Sequence, residues 1–242
     1  MFGKNAIRKQ ELRDDGQLFI KEIFYTIQGE GPDAGSPAVF IRLAGCNLAC
    51  FFCDTDFENG TLMTAEAIEE EVRKLTSELP RTPLIVLTGG EPFRQNFIPL
   101  LSVLKLYEVQ VETAGTLTLP GLHGVKSTRQ RGFSIVCSPK TPKLNTDLIP
   151  LIDAYKYIIQ AGCVDELDGL PNQSTQDDGK VARIARPWDQ EGYATRDTPV
   201  FLQACDQQNG YLNKVNLKAA AELCMKFGYR LSVQQHKLAD LR

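Results

Sequence analysis

Three cysteines, Cys46, Cys50 and Cys53, stand in the pattern C-x3-C-x2-C within GCNLACFFCDT. Thiolates this close in sequence can converge on one soft metal centre, and the flanking Gly45 and Asn47 suit a loop that wraps an inorganic core. A structural zinc site takes four ligands, usually as two paired hooks, and a ferredoxin-type cluster also takes a fourth cysteine. The chain offers neither, because Cys137, Cys163, Cys205 and Cys224 are scattered singly and read as small core residues. The chemistry that fits is an iron–sulfur centre with one iron not held by cysteine. Residues 88–92, TGGEP, follow a buried apolar run, and two glycines there permit close backbone approach. Arg42 lies in another apolar run, VFIRLAG, where an unpaired charge is costly. Either a bidentate grip on a ligand carboxylate or an inward salt bridge with Asp or Glu would supply its partner.

Composition narrows the field. The chain has 242 residues, 43% hydrophobic and 24% charged, which is globular composition. With 27 basic and 30 acidic residues the net charge is −3, against a dedicated nucleic-acid binder. Two histidines, His123 and His236, argue against a histidine-based metal site or a His-driven hydrolase. Seven cysteines are an odd number, which argues against a complete set of disulfides. No apolar leader opens the sequence, and no apolar run approaches ~18 residues. The expectation is a protein of a reducing cytoplasm, with no membrane span.

The elements that must position these residues alternate. Runs rich in β-branched and aromatic residues occur at 39–43, 84–87, 109–112, 133–137, 155–159, 200–203 and 229–233, several almost wholly apolar, as strands buried on both faces are. Helical patterns lie between some of them. One begins after Thr64, a good N-cap, and runs to about Leu79, with Ile68, Val72, Leu75 and Leu79 on one face. Others cover about 96–108 and 213–227, the last stopping at Gly228. Alternation predicts a parallel sheet with crossover helices. A closed eight-unit barrel takes ~250 residues, so about six to seven parallel strands predict a partial, open β/α barrel and one domain over 1–242. Polar clusters follow successive strands, as a site at the strand C-terminal ends would produce. Residues 1–20 read as a charged extension, and 165–198 as a polar insertion or lid. Lys126, Arg129 and Arg131 read as a solvated basic face.

C-x3-C-x2-C with Phe52 before the last cysteine, followed by TGGEP, resembles the radical S-adenosylmethionine (SAM) superfamily. The resemblance implies a [4Fe–4S] cluster whose open iron binds SAM, and SAM cleavage to a 5′-deoxyadenosyl radical. The longer segment FYTIQGEGPDAGSPAVFIRLAGCNLACFFCDTDF, with VETAGT, CSPK and the tail RLSVQQHK, resembles the 7-carboxy-7-deazaguanine synthase family over most of the chain, but not over 1–20 and weakly over 165–198. That family's reaction is ring contraction of 6-carboxy-5,6,7,8-tetrahydropterin with loss of ammonia, supported by magnesium, towards 7-deazapurines such as queuosine.

The resemblance carries roles onto matching positions. Cys46, Cys50 and Cys53 would hold the cluster. Phe52, Cys53, Asp54, Gly90, Ser138, Pro139 and Lys140 would contact SAM, and Thr55 would ligate magnesium as a hard oxygen donor. Ile27, Gln28, Gly29, Glu30, Arg42, Thr88, Glu112 and His236 would contact substrate, with Gln28 offering a donor and an acceptor to the pterin edge, Glu30 accepting from the pterin amine and Arg42 gripping the carboxylate. Glu112 and Thr113, at a strand end, are also candidate base or ribose partners. The resemblance further implies a homodimer and an electron-donor protein. Two other readings share the triad: a glycyl-radical-enzyme activase, which would need a groove for a protein partner, and a non-catalytic metal-bound module, which would never cleave SAM.

Overall fold

The computed structural model describes residues 5–53, 55–128, 132–176, 182–189 and 198–241. Among them run nine strands: β1 (Leu18–Ile27), β2 (Pro37–Leu43), β3 (Thr61–Met63), β4 (Leu84–Gly89), β5 (Val109–Thr113), β6 (Phe133–Cys137), β7 (Ala154–Ile159), β8 (Val200–Ala204) and β9 (Arg230–Ser232). They form one sheet in the order β3-β1-β2-β4-β5-β6-β7-β8-β9. Seven strands, β2 and β4 to β9, are mutually parallel, while β1 and β3 join antiparallel at the β2 edge. The sheet ends at β3 and β9 without closing, as the strand count predicts.

Side chains alternate across a strand with period two, and that parity sorts the molecule. Val39, Ile41, Leu43, Ile85, Leu87, Val111, Ile135, Tyr157 and Ile159 belong to one apolar core. The neighbours between them, Phe40, Arg42, Thr88, Glu112, Val136, Lys156 and Ile158, line a cavity on the opposite face.

The helices are α1 (Ala65–Thr76), α2 (Ile98–Val103), α3 (Leu122–Thr128), α4 (Gly210–Phe227) and α5 (Gln235–Leu238). Thr64 caps α1, its hydroxyl accepting from the Ala67 N–H at 3.2 Å. Ile68 and Val72 face the core, but Leu75 is 39% exposed, so the expected apolar face is shorter. The expected 96–108 helix contracts to α2, because Leu104 leaves helical geometry with ψ 23°. α4 begins at Gly210 rather than near 213, since the Asn209 side chain accepts from the N–H groups of Tyr211 and Leu212. Gly228 closes it in the left-handed region with φ 77°, as C-cap glycines do.

Two stretches differ from their sequence reading. Residues 18–20, assigned to an extension, open β1, because Leu18 and Ile20 are buried in the core. Residues 5–17 are strapped to the body by Arg8 N–H to the Cys46 carbonyl (2.7 Å) and Glu11 N–H to the Arg94 carbonyl (2.8 Å). In the polar stretch, Arg186 is fully buried. Its guanidinium grips both Asp168 oxygens at 2.7 and 3.1 Å and donates to the carbonyls of Pro171, Ile184 and Leu170. A buried charge so fully partnered holds its surroundings in one arrangement, and Leu170, Ile184 and Ala185 join the core around it. Of the basic cluster, Lys126 pairs with Asp153 at 2.5 Å, while Arg129 and Arg131 lie outside the described residues.

Candidate active site

A cavity of about 540 Å³ opens at the C-terminal ends of the parallel strands. The loop after β2 carries the three cysteines, all free thiols lining it. That loop rests on the glycine pair ending β4. A Cβ on Gly90 would lie 1.9 Å from the Gly45 carbonyl oxygen, so only glycine lets the two backbones meet. Glu91, 1% exposed, ties this junction to the end of β5: it accepts from the Thr113 hydroxyl at 2.7 Å, the Ala114 N–H at 2.8 Å and the Phe93 N–H at 3.1 Å. Burial raises its carboxyl above the usual range against these bonds.

Hydrogen-bond donors surround the sulfurs. The Thr175 hydroxyl and the Gln176 amide donate to Cys50 Sγ at 3.0 and 3.3 Å, and Asn5 Nδ2 donates to Cys53 Sγ at 3.6 Å. Burial, with Glu91 second, pushes the Cys46 thiol up to about 12, so a thiolate there needs a bound cationic centre. Among the described residues no three His, Cys, Asp or Glu side chains close around a single ion. A cubane cluster asks for something different, since each of three cysteines holds a separate iron on a wider core. Donors aimed at sulfur and a backbone cradle that a Cβ would fill both fit such a cluster. Thr55 also lines this wall. Lys140 stands beside it, donating to the Ser138 carbonyl and hydroxyl at 2.9 and 2.5 Å; burial lowers its pKa.

A second wall of the cavity is a layer of charges and amides. Lys156, 5% exposed on β7, donates to Glu30 at 2.5 Å and Glu112 at 3.5 Å. Glu30 also accepts from Gln203 at 3.1 Å and Gln234 at 2.8 Å. Glu112 also accepts from Gln28 at 3.1 Å, Gln110 at 3.3 Å and Thr88 at 3.4 Å. Burial alone would raise the Glu30 carboxyl, but Lys156, Gln234 and His236 outweigh it and hold the group at about 2. Burial likewise opposes the charge on Lys156, and the two carboxylates override it, raising its pKa. Arg42 pairs through Nε with Glu22, its register partner on β1, at 3.4 Å and lies over the Phe24 ring at 5.3 Å. The salt bridge weighed from sequence therefore exists, and Arg42 lines the cavity as well.

The cavity gathers Cys46, Cys50, Cys53, Phe52, Thr55, Gly90, Ser138, Lys140, Ile27, Gln28, Glu30, Arg42, Thr88, Glu112, Thr113 and His236. Two expected contacts fall elsewhere. Gly29 is not in the lining; it backs His236, whose Nδ1 sits 2.0 Å from where a Cβ would be. Pro139 lines a separate cavity of about 50 Å³. Asp54 lies outside the described residues. Gln28 is engaged at both ends of its amide, donating to Glu112 and accepting from the Glu30 N–H at 3.1 Å, which makes it a support for the carboxylates as much as a contact. Sequence reasoning missed Lys156, whose signal, a cation within the apolar run AYKYII, is the one that exposed Arg42. It also missed the donors from Asn5, Thr175 and Gln176.

Comparison with known proteins identifies the family. The Radical SAM superfamily model matches residues 40–168. The 7-carboxy-7-deazaguanine synthase of Rhodospirillum rubrum is 44% identical over 249 residues, spanning the whole of both chains. That of Rickettsia prowazekii is 39% identical, covering 100% of this chain and 96% of the relative. The crystal structure of QueE from Escherichia coli is similar in fold, with a TM-score of 0.60 at 22% identity over 90% of this chain and 94% of that one. This chain belongs to the radical SAM superfamily and, within it, to the 7-carboxy-7-deazaguanine synthase family.

Proposed function

We propose that this enzyme is a carbon–nitrogen lyase that converts 6-carboxy-5,6,7,8-tetrahydropterin to 7-carboxy-7-deazaguanine and ammonia, in 7-deazapurine biosynthesis. The observation that carries this reading is one cavity lined both by three thiols and by the Glu30–Lys156–Glu112 layer. Superfamily membership brings a [4Fe–4S] cluster and SAM, which when bound supply the hydrogen-abstracting radical.

The chain binds, orients and shields. Cys46, Cys50 and Cys53 hold the cluster. Phe52, Cys53, Gly90, Ser138 and Lys140 contact SAM, and the family motif adds Asp54 and Pro139 to that set. Glu30 is ionised at neutral pH and uses three of its roughly four acceptor sites on Lys156, Gln203 and Gln234. A substrate N–H takes the fourth. Arg42 meets the substrate carboxylate, its guanidinium carbon 5.3 Å from the centre of the Phe24 ring. Ile27, Gln28, Thr88, Glu112 and His236 complete the pocket, and Gly29 acts through His236. Thr55 supplies a hard oxygen for Mg2+, a reading supported by its place in the lining beside Cys53.

One continuous sheet supports a single domain over 1–242. Among the described residues no helix is long and apolar enough to cross a membrane. Seven free thiols support a reducing cytoplasm as the setting. Family membership supports a homodimer and a separate electron-donor protein. The test is anaerobic reconstitution with SAM, Mg2+, a reductant and the tetrahydropterin, followed by mass spectrometry. Formation of 7-carboxy-7-deazaguanine is expected; a verified [4Fe–4S] enzyme that cleaves SAM but yields none would overturn the assignment.

A further inference from the structure

We infer that Thr175 and Gln176, assisted by Asn5, are positioning residues that raise the one-electron reduction potential of the cluster by donating hydrogen bonds to its cysteine ligands. The inference rests on the reading of Cys46, Cys50 and Cys53 as cluster ligands.

The direction of each donor follows from its other contacts. Gln176 Oε1 accepts from the Ala49 backbone N–H at 3.0 Å. A backbone N–H only donates, so the carbonyl end of that amide must face it. The NH2 end is then turned to the Thr175 hydroxyl at 2.9 Å and Cys50 Sγ at 3.3 Å. Because the Thr175 oxygen receives that N–H, its own proton points away, towards Cys50 Sγ at 3.0 Å or the Lys140 carbonyl at 3.2 Å. Thr175 is 5% exposed, so water does not compete for its proton. Asn5 repeats the device more weakly. Its Oδ1 accepts from the Phe57 N–H at 3.0 Å, which turns its NH2 to the Thr55 carbonyl at 2.7 Å and Cys53 Sγ at 3.6 Å. The backbone holds both segments in place: the Phe51 N–H donates to the Thr175 carbonyl at 3.2 Å and the Arg8 N–H to the Cys46 carbonyl at 2.7 Å.

Donors to ligand sulfur withdraw negative charge from a cluster and stabilise its reduced form. The step concerned is transfer of one electron from a low-potential reductant to the cluster; the reductant loses one electron and no bond forms or breaks. The two segments least like the family core thus set how easily that electron is accepted.

The test is an anaerobic potentiometric titration of the reconstituted full chain, read by electron paramagnetic resonance. Thr175→Val removes a neutral donor, and Gln176→Glu removes the NH2 while keeping an acceptor for the Ala49 N–H. Each should shift the reduced-to-oxidised ratio at fixed potential about tenfold towards oxidised, about 59 mV for one electron. Thr175→Ser should titrate with the parent, and Asn5→Leu should shift less. Parent-like potentials in T175V and Q176E carrying a full iron complement would overturn the inference. If T175V takes up no iron, Q176E decides by the same criterion. A parent chain that assembles no [4Fe–4S] cluster would instead overturn the ligand assignment, and this inference with it.

Discussion

The two walls of the cavity are built in opposite ways. The thiol wall is made of short contiguous loops, each following a strand: 45–53 after β2, 90–91 after β4 and 138–140 after β6. The charged wall is made largely of single inward positions on separate strands, Arg42, Glu112, Lys156 and Gln203, brought together only by sheet register. The difference separates two tasks. In the proposed function the loops hold the cofactors, their backbones packed closely as at the junction of Gly45 with Gly90. The strands, in the same reading, carry recognition, where fixed spacing between side chains sets what fits.

The sharpest way to separate the walls is to remove one ligand. Cys50→Ala should abolish cluster assembly, read as iron and sulfide per chain, and with it all SAM cleavage. Cys163→Ala, at a thiol of the small second cavity, should keep the full iron complement. A Cys50→Ala protein with that complement would break the comparison at its first wall.

Lys156→Met tests the second wall. Removing one partner of a buried ion pair costs about 3–5 kcal/mol, because the other charge stays buried; here two carboxylates lose their cation. The sign with pH follows. In the parent, Glu30 is held at about 2, below its ordinary 4.5, so its stabilising contribution is present above 4.5 and is lost as pH falls towards 2. Without Lys156, burial dominates and raises that carboxyl, so protonation relieves the variant. The gap in thermal unfolding midpoint between parent and K156M should therefore begin to narrow above pH 4.5, as the raised carboxyl of the variant takes up its proton, and go on narrowing towards 2, as the parent loses its ion pair. A gap constant across that range would mean that Lys156 does not hold Glu30 ionised.

The same contrast explains what was legible in the sequence. The thiol wall announces itself because its residues are neighbours in the chain. Most of the parallel strands were also readable, since strands such as β2, β4 and β7 are covered on both faces and run almost unbroken in apolar residues. β1 escaped because Lys21 and Glu22 interrupt its pattern and a register shift lies between Ile20 and Glu22. Arg42 was visible as a charge in an apolar strand, and Lys156 was equally visible but passed over. Gln176 stood outside such reasoning: it meets Cys50 across 126 positions, a contact created by the fold of the polar stretch around Arg186. Local pattern reports which face a residue takes, not which distant residue it will touch.

Arg42→Ala sharpens the recognition wall itself. Hydrogen bonds to charged groups contribute about 1.5–3 kcal/mol, so turnover of the tetrahydropterin should fall roughly 10- to 100-fold while SAM binding and the cluster spectrum hold. Glu22, left behind, is partly exposed and finds water. Equal losses in SAM binding and turnover would make Arg42 a structural residue.

The smallest effect belongs to Gly29, which touches the cavity only through His236. Its backbone is ordinary, so an alanine there brings no conformational strain, but the new Cβ would stand 2.0 Å from His236 Nδ1 and 2.9 Å from Cγ. The imidazole must therefore give way, while the Gly29 carbonyl keeps the Gln235 N–H at 3.1 Å and with it the start of α5. In the parent, burial lowers the His236 pKa below its ordinary 6.5, Lys237, Arg42 and Lys156 add to that, and Glu30 opposes it. His236 is therefore neutral at pH 7. Displaced towards solvent in Gly29→Ala, it should titrate closer to 6.5, an upward shift visible by NMR. KM for the pterin should rise by up to about tenfold, ~1.4 kcal/mol, with kcat and SAM cleavage little changed. An unchanged KM together with an upward-shifted titration would show that His236 moves without touching substrate, and would take it out of the recognition wall.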